Sequence, residues 1–231
     1  MKTIGLIGGM SWESTVPYYR TINETVRARL GGLHSAKIVL YSFDFDEIEQ
    51  LQRAGDWETA GSRLAASARS LETAGAELLV LCTNTMHKVA PIIEAAVTIP
   101  LLHIADATGA EIKKAGLSTI GLIGTRFTME QPFYCERLKQ RFGLDVVVPD
   151  ERDREIVHRV IFDELCLGIV SMDSRAEYRR IMGSLAMRGA QAVILGCTEI
   201  SLLVNQQDSP VPIFDTTTLH GRAAAELALS P

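Results

Sequence analysis

Two short polar stretches, residues 82–85 (CTNT) and 196–199 (GCTE), each follow an apolar run and carry side chains that can move a proton. When they are aligned on the glycine that precedes each run, Thr83 falls opposite Cys197. A thiol that has lost its proton can act as a base, whereas a hydroxyl is better suited to donating or relaying a proton. The pair therefore predicts proton transfer to and from a small bound molecule.

The apolar runs before these stretches show no alternation of hydrophobic and polar residues. Residues 77–81 and 190–195 are largely apolar, which is typical of strands buried on both faces of a parallel sheet covered by helices. Ligands of open α/β sheets bind beyond the carboxyl ends of such strands, where the following helix offers unpaired N–H groups to an anion. We expect both polar stretches to lie at such strand ends.

Further repeats indicate that the whole chain is a tandem duplication. Residues 120–124 (IGLIG) repeat residues 4–8, and residues 211–215 (VPIFD) resemble residues 99–103 (IPLLH), in the same order. The duplication predicts an α/β fold of two pseudo-symmetric domains, each a parallel sheet flanked by helices, with the active site in the cleft between them. The expected domains are residues 1–98 with 211–231, and residues 99–210.

Local patterns predict the elements of the first half. A helix should begin at Trp12 with Ser11 as its cap and should end at the glycines that follow residue 30, with Pro17 early in it. The glycine turn at residues 8–9 lacks the GxGxxG pattern of a dinucleotide site, and its N–H groups suit a carboxylate. The expected elements are strands 3–9, 37–42, 77–81 and 97–104 and helices 12–30, 47–53, 57–73 and 86–95.

Composition argues against several classes of partner and site. The 231 residues carry a net charge of -5 without a basic block, which disfavours binding to nucleic acid or an anionic membrane. The N-terminal apolar run is too short for a signal peptide and no stretch reaches the length of a membrane span, so we expect a cytoplasmic protein. Its scattered cysteines should be free thiols, Cys135 and Cys166 should be buried, and no metal site is expected.

The motifs of this chain resemble those of the aspartate/glutamate racemase family. The resemblance rests on IGLIGGM at residues 4–10, CTNTMH at 82–87 and GCTE at 196–199, and it extends over essentially the whole chain. It implies racemisation without pyridoxal phosphate, by two cysteines that face the substrate α-carbon from opposite sides. The first cysteine of the family's usual PCNTAH motif falls at Thr83 in this chain, and the second falls at Cys197.

The threonine predicts unequal treatment of the two enantiomers. Cys82 is the alternative to Thr83, but side chains alternate in direction along a strand, so Cys82 should point away from the cleft. A hydroxyl is harder to deprotonate than a thiol by roughly 7 kcal/mol, because its pKa lies on the order of five units higher. Thr83 should therefore donate or relay a proton while Cys197 acts as the base. The family's stereochemistry implies that Cys197 works on the L-amino acid.

The remaining candidates would bind substrate or tune the proton transfer. Glu199 could tune Cys197 or accept its proton, and a first-turn carboxylate that favours the helix dipole is an equal alternative. His87 is expected to pack beneath the cleft, and Arg53 and Arg126 could contact the substrate side chain. The predicted substrate-binding residues are Met10, Gln52, Asn84, Thr85, Thr125, Thr128 and Thr198. Each of them except Gln52 could instead cap a helix.

Aspartate or glutamate is the expected substrate of this amino-acid racemase. The alternatives are a broad-specificity racemase acting, for example, on homoserine, a one-cysteine decarboxylase or isomerase of the same superfamily, and a weakly catalytic amino-acid sensor. The resemblance implies a homodimer, for which an apolar face of an early helix could supply the contact. No cofactor, metal, nucleic-acid or membrane partner is expected.

Overall fold

The computed structural model describes residues 1–230, which form strands alternating with helices. From the N-terminus, the elements are β1 (Ile4–Gly8), α1 (Trp12–Leu30), β2 (Ile38–Ser42), α2 (Phe45–Ala54), α3 (Trp57–Thr73), β3 (Leu78–Leu81), α4 (Ala90–Glu94) and β4 (Leu101–Leu102). They continue with α5 (Ile104–Lys114), β5 (Thr119–Gly124), α6 (Arg126–Glu130), α7 (Pro132–Phe142), β6 (Asp145–Val147), α8 (Glu151–Asp163), α9 (Met172–Met187), β7 (Ala192–Gly196), α10 (Ile200–Leu203), β8 (Ile213–Asp215) and α11 (Thr216–Leu229). Short 3-10 helices lie at Thr85–Val89, Leu165–Leu167 and Gln206–Asp208.

The strands form two parallel sheets that share one order of strands. In the first sheet the order is β2-β1-β3-β4, and in the second it is β6-β5-β7-β8. Each strand is parallel to its neighbours, so helices must carry the chain back between successive strands. The α/β class, with two duplicated parallel sheets flanked by helices, is confirmed.

The chain divides into two compact units. The first unit comprises Met1–Ile104 together with the C-terminal segment from His220, and the second comprises Ala105–Leu219. The boundaries expected from the sequence, at residues 98 and 211, fall slightly earlier in the chain. The C-terminal helix α11 begins within the second unit and ends within the first.

Burial on both faces of the first sheet explains why its central strands lack alternation. Leu79 and Leu81 of β3 pack into one apolar cluster with residues of α2 and α3. Leu78, Val80 and Cys82 belong to a second apolar cluster with residues of α1 and α11. Full burial of one large aliphatic side chain contributes about 1.5–3 kcal/mol, so these clusters hold the helices against the sheet.

The predicted helix from Trp12 to Leu30 is confirmed, although its expected cap is not. Gly31, with φ of 75°, ends α1. The buried apolar side chains of this helix are Tyr18, Ile22 and Val26. Ser11 occupies the N-cap position without a side-chain capping bond. Its carbonyl instead accepts hydrogen bonds from two hydroxyls in the first turn of the helix.

The prediction of a strand at residues 97–104 is wrong for most of its length. Only Leu101–Leu102 pairs with β3. The N–H groups of Thr98 and Ile99 donate to one carboxylate oxygen of Glu72 rather than to a neighbouring strand. The helix α5 then begins immediately after His103.

The helix expected at residues 86–95 is divided into two segments. The 3-10 helix Thr85–Val89 comes first, and α4 follows it. Pro91 lies at the start of α4 and has no N–H group, so the i to i−4 hydrogen-bond ladder cannot run unbroken through both segments. Helix 57–73 has the predicted bounds, and helix 47–53 is extended at both ends.

No helix among residues 1–230 combines the length and apolar character needed to cross a membrane.

Candidate functional site

The turn after β1 places Met10 beside the first sheet. Gly9 has φ of 83°, and a Cβ there would lie 2.4 Å from the backbone N and O of Phe43, so the turn requires glycine. The Gly9 N–H, which was expected to face a carboxylate, instead donates to Thr15 Oγ1 at 2.8 Å. Met10 is buried in the same apolar cluster as Met86.

Strand register gives Thr83 and Cys197 equivalent positions in the two sheets. Leu81 of β3 and Leu195 of β7 pair with corresponding isoleucines in the central strands β1 and β5. Thr83 follows Leu81 by two residues, and Cys197 follows Leu195 by two residues. The duplication therefore delivers a hydroxyl and a thiol to the same point in each sheet.

Cys82 is enclosed by apolar side chains and does not share this position. It is fully buried in the cluster formed with α1 and α11, and its thiol makes a long contact of 3.7 Å to Val80 O. Burial raises the pKa of Cys82 far above that of an ordinary thiol. This environment disfavours Cys82 as a proton-transfer group, whereas Thr83 keeps 7% of its surface exposed.

Backbone hydrogen bonds fix the chain on both sides of Thr83. Its N–H donates to Leu81 O at 2.9 Å, and its carbonyl lies 2.7 Å from Nδ1 of His87. Asn84 and Thr85 follow at the start of the 3-10 helix, and both are buried. Hydrogen bonds therefore hold the chain at the end of β3, and the polar side chains that follow this strand expose little of their surface.

Gln52 contributes a buried acceptor to the first unit. It is 3% exposed, and its Nε2 donates to Met86 Sδ at 3.1 Å. Its Oε1 has no hydrogen-bond partner among the described residues. A buried amide oxygen without a partner costs about 1–3 kcal/mol. Gln52 is therefore suited to receiving a donor from a ligand.

A short hydrogen bond joins the side chains of Cys197 and Glu199 in the second unit. The thiol of Cys197 donates to Glu199 Oε2 at 2.9 Å, and the hydroxyl of Thr198 donates to the same oxygen at 3.0 Å. All three residues are buried, and Cys197 retains 7% exposure. The carboxylate is thus in position to receive the thiol proton.

The surroundings of Cys197 hold its sulfur in the neutral form. Burial, followed by the neighbouring Glu199 carboxylate, raises the pKa of Cys197 well above that of an ordinary thiol. A backbone hydrogen bond from Glu199 acts in the opposite direction. The sequence led us to expect the few per cent of thiolate typical of a free cysteine at neutral pH, and the buried position explains why this side chain differs.

Threonine hydroxyl groups form hydrogen bonds at the ends of strands in the second sheet. Thr125 caps α6 by accepting from Thr128 N at 3.3 Å, and the two hydroxyls lie 3.2 Å apart. Thr216 Oγ1 donates to Leu195 O, and Thr217 Oγ1 donates to Thr198 O. We did not single out Thr216 and Thr217 from the sequence, although they follow a strand within the repeated segment.

The two arginines that were expected to contact a substrate side chain each form an ion pair. Arg53 is highly exposed and pairs with Glu49, whereas Arg126 is half-exposed and pairs with Glu155.

Cys135 and Cys166 are partly exposed, so the expectation that both are buried is wrong. Cys166 is nevertheless one of the groups that raise the pKa of Cys197.

All four cysteines are free thiols, as expected. Among residues 1–230, no group of three or more histidine, cysteine, aspartate or glutamate side chains is arranged to hold a metal ion.

Comparison with known protein families finds a match over most of the chain. The family model for Asp/Glu/hydantoin racemases matches residues 7–224. Among curated proteins, a broad-specificity amino-acid racemase, RacX of Bacillus subtilis (strain 168), is 22% identical, and the match covers 98% of each chain.

Solved structures show the same similarity over the full length. A protein from Yersinia pestis, crystallised as a candidate Asp/Glu racemase, is 62% identical with a TM-score of 0.92 and complete coverage of both chains. An aspartate racemase homologue from Pyrococcus horikoshii OT3 is 37% identical with a TM-score of 0.84, again with complete coverage of both.

Proposed function

We propose that this chain, which belongs to the Asp/Glu/hydantoin racemase family, interconverts amino-acid enantiomers, with aspartate and glutamate as the first candidate substrates. The observation that carries the proposal is the hydrogen bond from the Cys197 thiol to Glu199 at the end of a central strand. A base with an adjacent proton acceptor is what removal of an α-proton requires. The broad-specificity relative and the aspartate racemase homologue support this class of substrate.

In the proposed first step, Cys197 removes the α-proton of an L-amino acid. Transfer of the thiol proton to Glu199 Oε2, 2.9 Å away, forms the thiolate. Burial makes that thiolate scarce, and the same raised pKa makes it a stronger base toward carbon. The ammonium group of the bound substrate would lower the cost of forming the thiolate, because it brings a positive charge into a buried region.

The resulting negative charge on the substrate carboxylate needs donors that are already in position. Asn84 and Thr85 lie at the end of β3, and Thr125 and Thr128 lie at the turn after β5. Thr198 would join them by turning its hydroxyl away from Glu199 Oε2, to which it donates in the structure. Donors held in place by folding stabilise such charge without reorganisation during the reaction. Met10 would shape the apolar side of the substrate site, and the unpaired Gln52 Oε1 would accept from the substrate ammonium.

The second step returns a proton to the opposite face of the carbanion, and we assign it to the Thr83 hydroxyl. A hydroxyl is a poor base, since removing its proton costs roughly 7 kcal/mol more than removing that of a thiol. Thr83 would therefore act as a relay, giving its proton to the carbanion while it takes one from water, and Glu199 would release the former thiol proton to solvent. Exchange of the α-proton with solvent should therefore be faster from the L-enantiomer than from the D-enantiomer, whereas kcat/KM for racemisation is equal in the two directions because the enantiomers have equal free energy. Both steps use only side chains of this protein, so we propose that no cofactor takes part.

Chiral chromatography of reaction mixtures tests the proposal directly. L- and D-aspartate, glutamate and homoserine are incubated separately with the wild type, Cys197→Ala and the matched control Cys135→Ala. We expect D-product from the L-substrate with the wild type and Cys135→Ala, and none with Cys197→Ala. The activity should persist in hydroxylamine, which traps pyridoxal phosphate.

Other outcomes identify the alternatives. Absence of racemisation together with carbon dioxide release from a substituted malonate would indicate a decarboxylase. Stabilisation against heat by an L-amino acid without turnover would indicate a sensor. Inactivation by hydroxylamine would contradict the cofactor-independent mechanism.

We also propose that the protein forms a homodimer through the outer face of α1. Trp12, Val16 and Tyr19 recur at helical spacing on this helix, and all three are exposed although they are large and apolar. Arg20 and Glu24 line a groove together with Val16 and Tyr19. Two copies related by a two-fold axis could therefore pair opposite charges. Light scattering of the wild type and Tyr19→Glu should give a dimer and a monomer, respectively.

A further inference from the structure

His87 is a buried histidine that contacts the turn carrying Thr83. It lies within the 3-10 helix after β3 and is 2% exposed. One ring nitrogen, Nδ1, is 2.7 Å from the carbonyl oxygen of Thr83, and the other, Nε2, is 3.1 Å from the N–H of Ile104. The ring therefore links the end of β3 to the first residue of α5.

These two contacts determine which nitrogen carries the proton. A backbone N–H can only donate, so Nε2 must accept from Ile104 and cannot hold a proton. A carbonyl oxygen can only accept, so Nδ1 must carry the proton and donate to Thr83. His87 is thus a neutral Nδ1–H imidazole with a donor on one side and an acceptor on the other.

The donated bond completes the restraint of the Thr83 backbone. The Thr83 N–H is already bound to Leu81 O, so the peptide groups on both sides of this residue are held. A β-branched side chain has few accessible χ1 rotamers for a given backbone conformation. Fixing the backbone therefore fixes the direction of the Thr83 hydroxyl.

The second unit fastens its equivalent strand by a different group. Thr217 Oγ1, at the start of α11, donates to the carbonyl of Thr198, which follows Cys197. In the first unit the start of α5 reaches the turn through the ring of His87, whereas in the second unit the start of α11 bonds to the backbone of the turn directly. Only the first unit uses an imidazole for this bond, since the residue equivalent to His87 is Ser201.

We infer that His87 is a positioning residue, which aims the Thr83 hydroxyl by donating from Nδ1 to the Thr83 carbonyl and so governs proton return rather than proton removal. This inference rests on the proposed function, in which Cys197 and Thr83 serve opposite faces of the substrate. It goes beyond that function by assigning the two nitrogens of one ring to separate tasks. Nδ1 serves Thr83, and Nε2 serves the junction with α5.

Two substitutions separate these tasks. In His87→Asn the amide nitrogen can occupy the place of Nδ1 and keep the donor to Thr83, whereas in His87→Gln the longer amide reaches the place of Nε2 and keeps only the contact with Ile104. The reaction is run in deuterated water with the L-substrate. The measured quantity is the ratio of D-product formation to total deuterium incorporation at the α-carbon, which compares proton return at the Thr83 face with proton removal by Cys197.

A displacement of a catalytic group by about 1 Å can reduce its step by on the order of 10²-fold. We expect His87→Gln to lower the ratio about 10- to 100-fold while deuterium still enters the L-substrate. His87→Asn should stay within about threefold of the wild type, and so should His34→Asn, a control at an exposed histidine. Equal losses in the Asn and Gln variants, or an unchanged ratio in His87→Gln, would overturn the inference.

A double substitution excludes a general structural effect. If His87 acts through Thr83, His87→Gln should not lower the ratio further in a Thr83→Ala background, and an additional tenfold fall would contradict this. If His87→Gln does not fold, the ratio in His87→Asn decides, because loss of the Ile104 contact alone should leave it near the wild-type value. Absence of deuterium incorporation in the wild type would instead refute the proposed function.

Nuclear magnetic resonance of ¹⁵N-labelled histidine gives a readout independent of activity. His87 should be the neutral Nδ1–H tautomer. His220 is an internal reference of opposite type, since its Nε2 donates to Leu102 O and its Nδ1 accepts from the Tyr18 hydroxyl. An Nε2–H or doubly protonated His87 at neutral pH would overturn the inference.

Discussion

The thiol of Cys197 donates a hydrogen bond to the carboxylate of Glu199 across 2.9 Å. If this bond is the route by which the thiol loses its proton, Glu199→Gln should lower kcat with the L-substrate about 10²-fold, because an amide cannot accept that proton. Initial rates at saturating substrate measure the effect. Glu58→Gln, at an exposed site, removes the same charge and should leave kcat unchanged. Full activity in Glu199→Gln would show that the thiol proton leaves by another route.

Thr83→Cys should make the rates of α-proton exchange with solvent more nearly equal for the two enantiomers. A thiol at this position can act as a base toward the D-enantiomer, since a thiolate forms at a cost roughly 7 kcal/mol below that of an alkoxide. We expect at least a tenfold gain in the rate of exchange from the D-substrate and a smaller change in the rate of exchange from the L-substrate. Exchange of the α-proton of each enantiomer in deuterated water measures both rates. No gain from the D-substrate would argue against Thr83 as the group on that face.

Cys82→Ala should affect stability and spare catalysis. The side chain is fully buried among apolar neighbours, so removing its sulfur leaves a small cavity and should lower the free energy of unfolding by about 1–2 kcal/mol. Urea unfolding and the rate from the L-substrate are measured on the same preparation. A loss of activity comparable to that of Thr83→Ala, without loss of stability, would assign the proton transfer to Cys82 instead.

Gln52→Met should weaken substrate binding and increase the free energy of unfolding. Methionine has a similar length and no buried oxygen to leave without a partner, so the free energy of unfolding should rise by about 1 kcal/mol. Loss of the acceptor for the substrate ammonium should raise KM about tenfold, with a smaller effect on kcat. Gln50→Met changes an exposed glutamine of the same helix and serves as the control. A higher KM in that variant as well would mean that the effect does not arise from the Gln52 acceptor.

The buried pair of Tyr18 and His220 should make stability depend on pH below neutrality. Burial lowers the pKa of His220 from 6.5 to about 4, and the ring donates to Leu102 O while accepting from Tyr18. Between these values the unfolded chain binds a proton that the folded chain does not, so stability falls as the pH falls from about 6.5 toward 4. The full loss corresponds to about 3 kcal/mol at ~1.36 kcal/mol per unit.

Urea unfolding of the wild type and His220→Gln at pH 7.5 and pH 5 tests this dependence. Glutamine does not titrate, so the difference in unfolding free energy between the two pH values should be smaller in His220→Gln. An equal difference in both proteins would show that other groups cause the acid sensitivity.

Much of the fold was determined by local pattern in the sequence. The unbroken apolar runs before Thr83 and Cys197 indicated strands buried on both faces. The structure agrees for β3, since each of its two sides contacts a separate apolar cluster. Gly31 set the C-terminal bound of α1, since a positive φ is available to glycine at little cost. Repetition of the same strand order in both sheets followed from the internal echoes.

The tertiary structure decided what no local pattern contains, namely which polar groups meet. Glu72 is far in sequence from Thr98 but captures its N–H and thereby shortens the expected strand at residues 97–104. The roles of the two nitrogens of His87 depend on Thr83 and on Ile104, which folding alone brings to opposite edges of the ring. Likewise, the high pKa of Cys197 arises from burial and from the nearby Glu199 carboxylate. Residue types in the sequence established which chemistry was available, but protonation depends on distances and desolvation, and those exist only once the chain has folded.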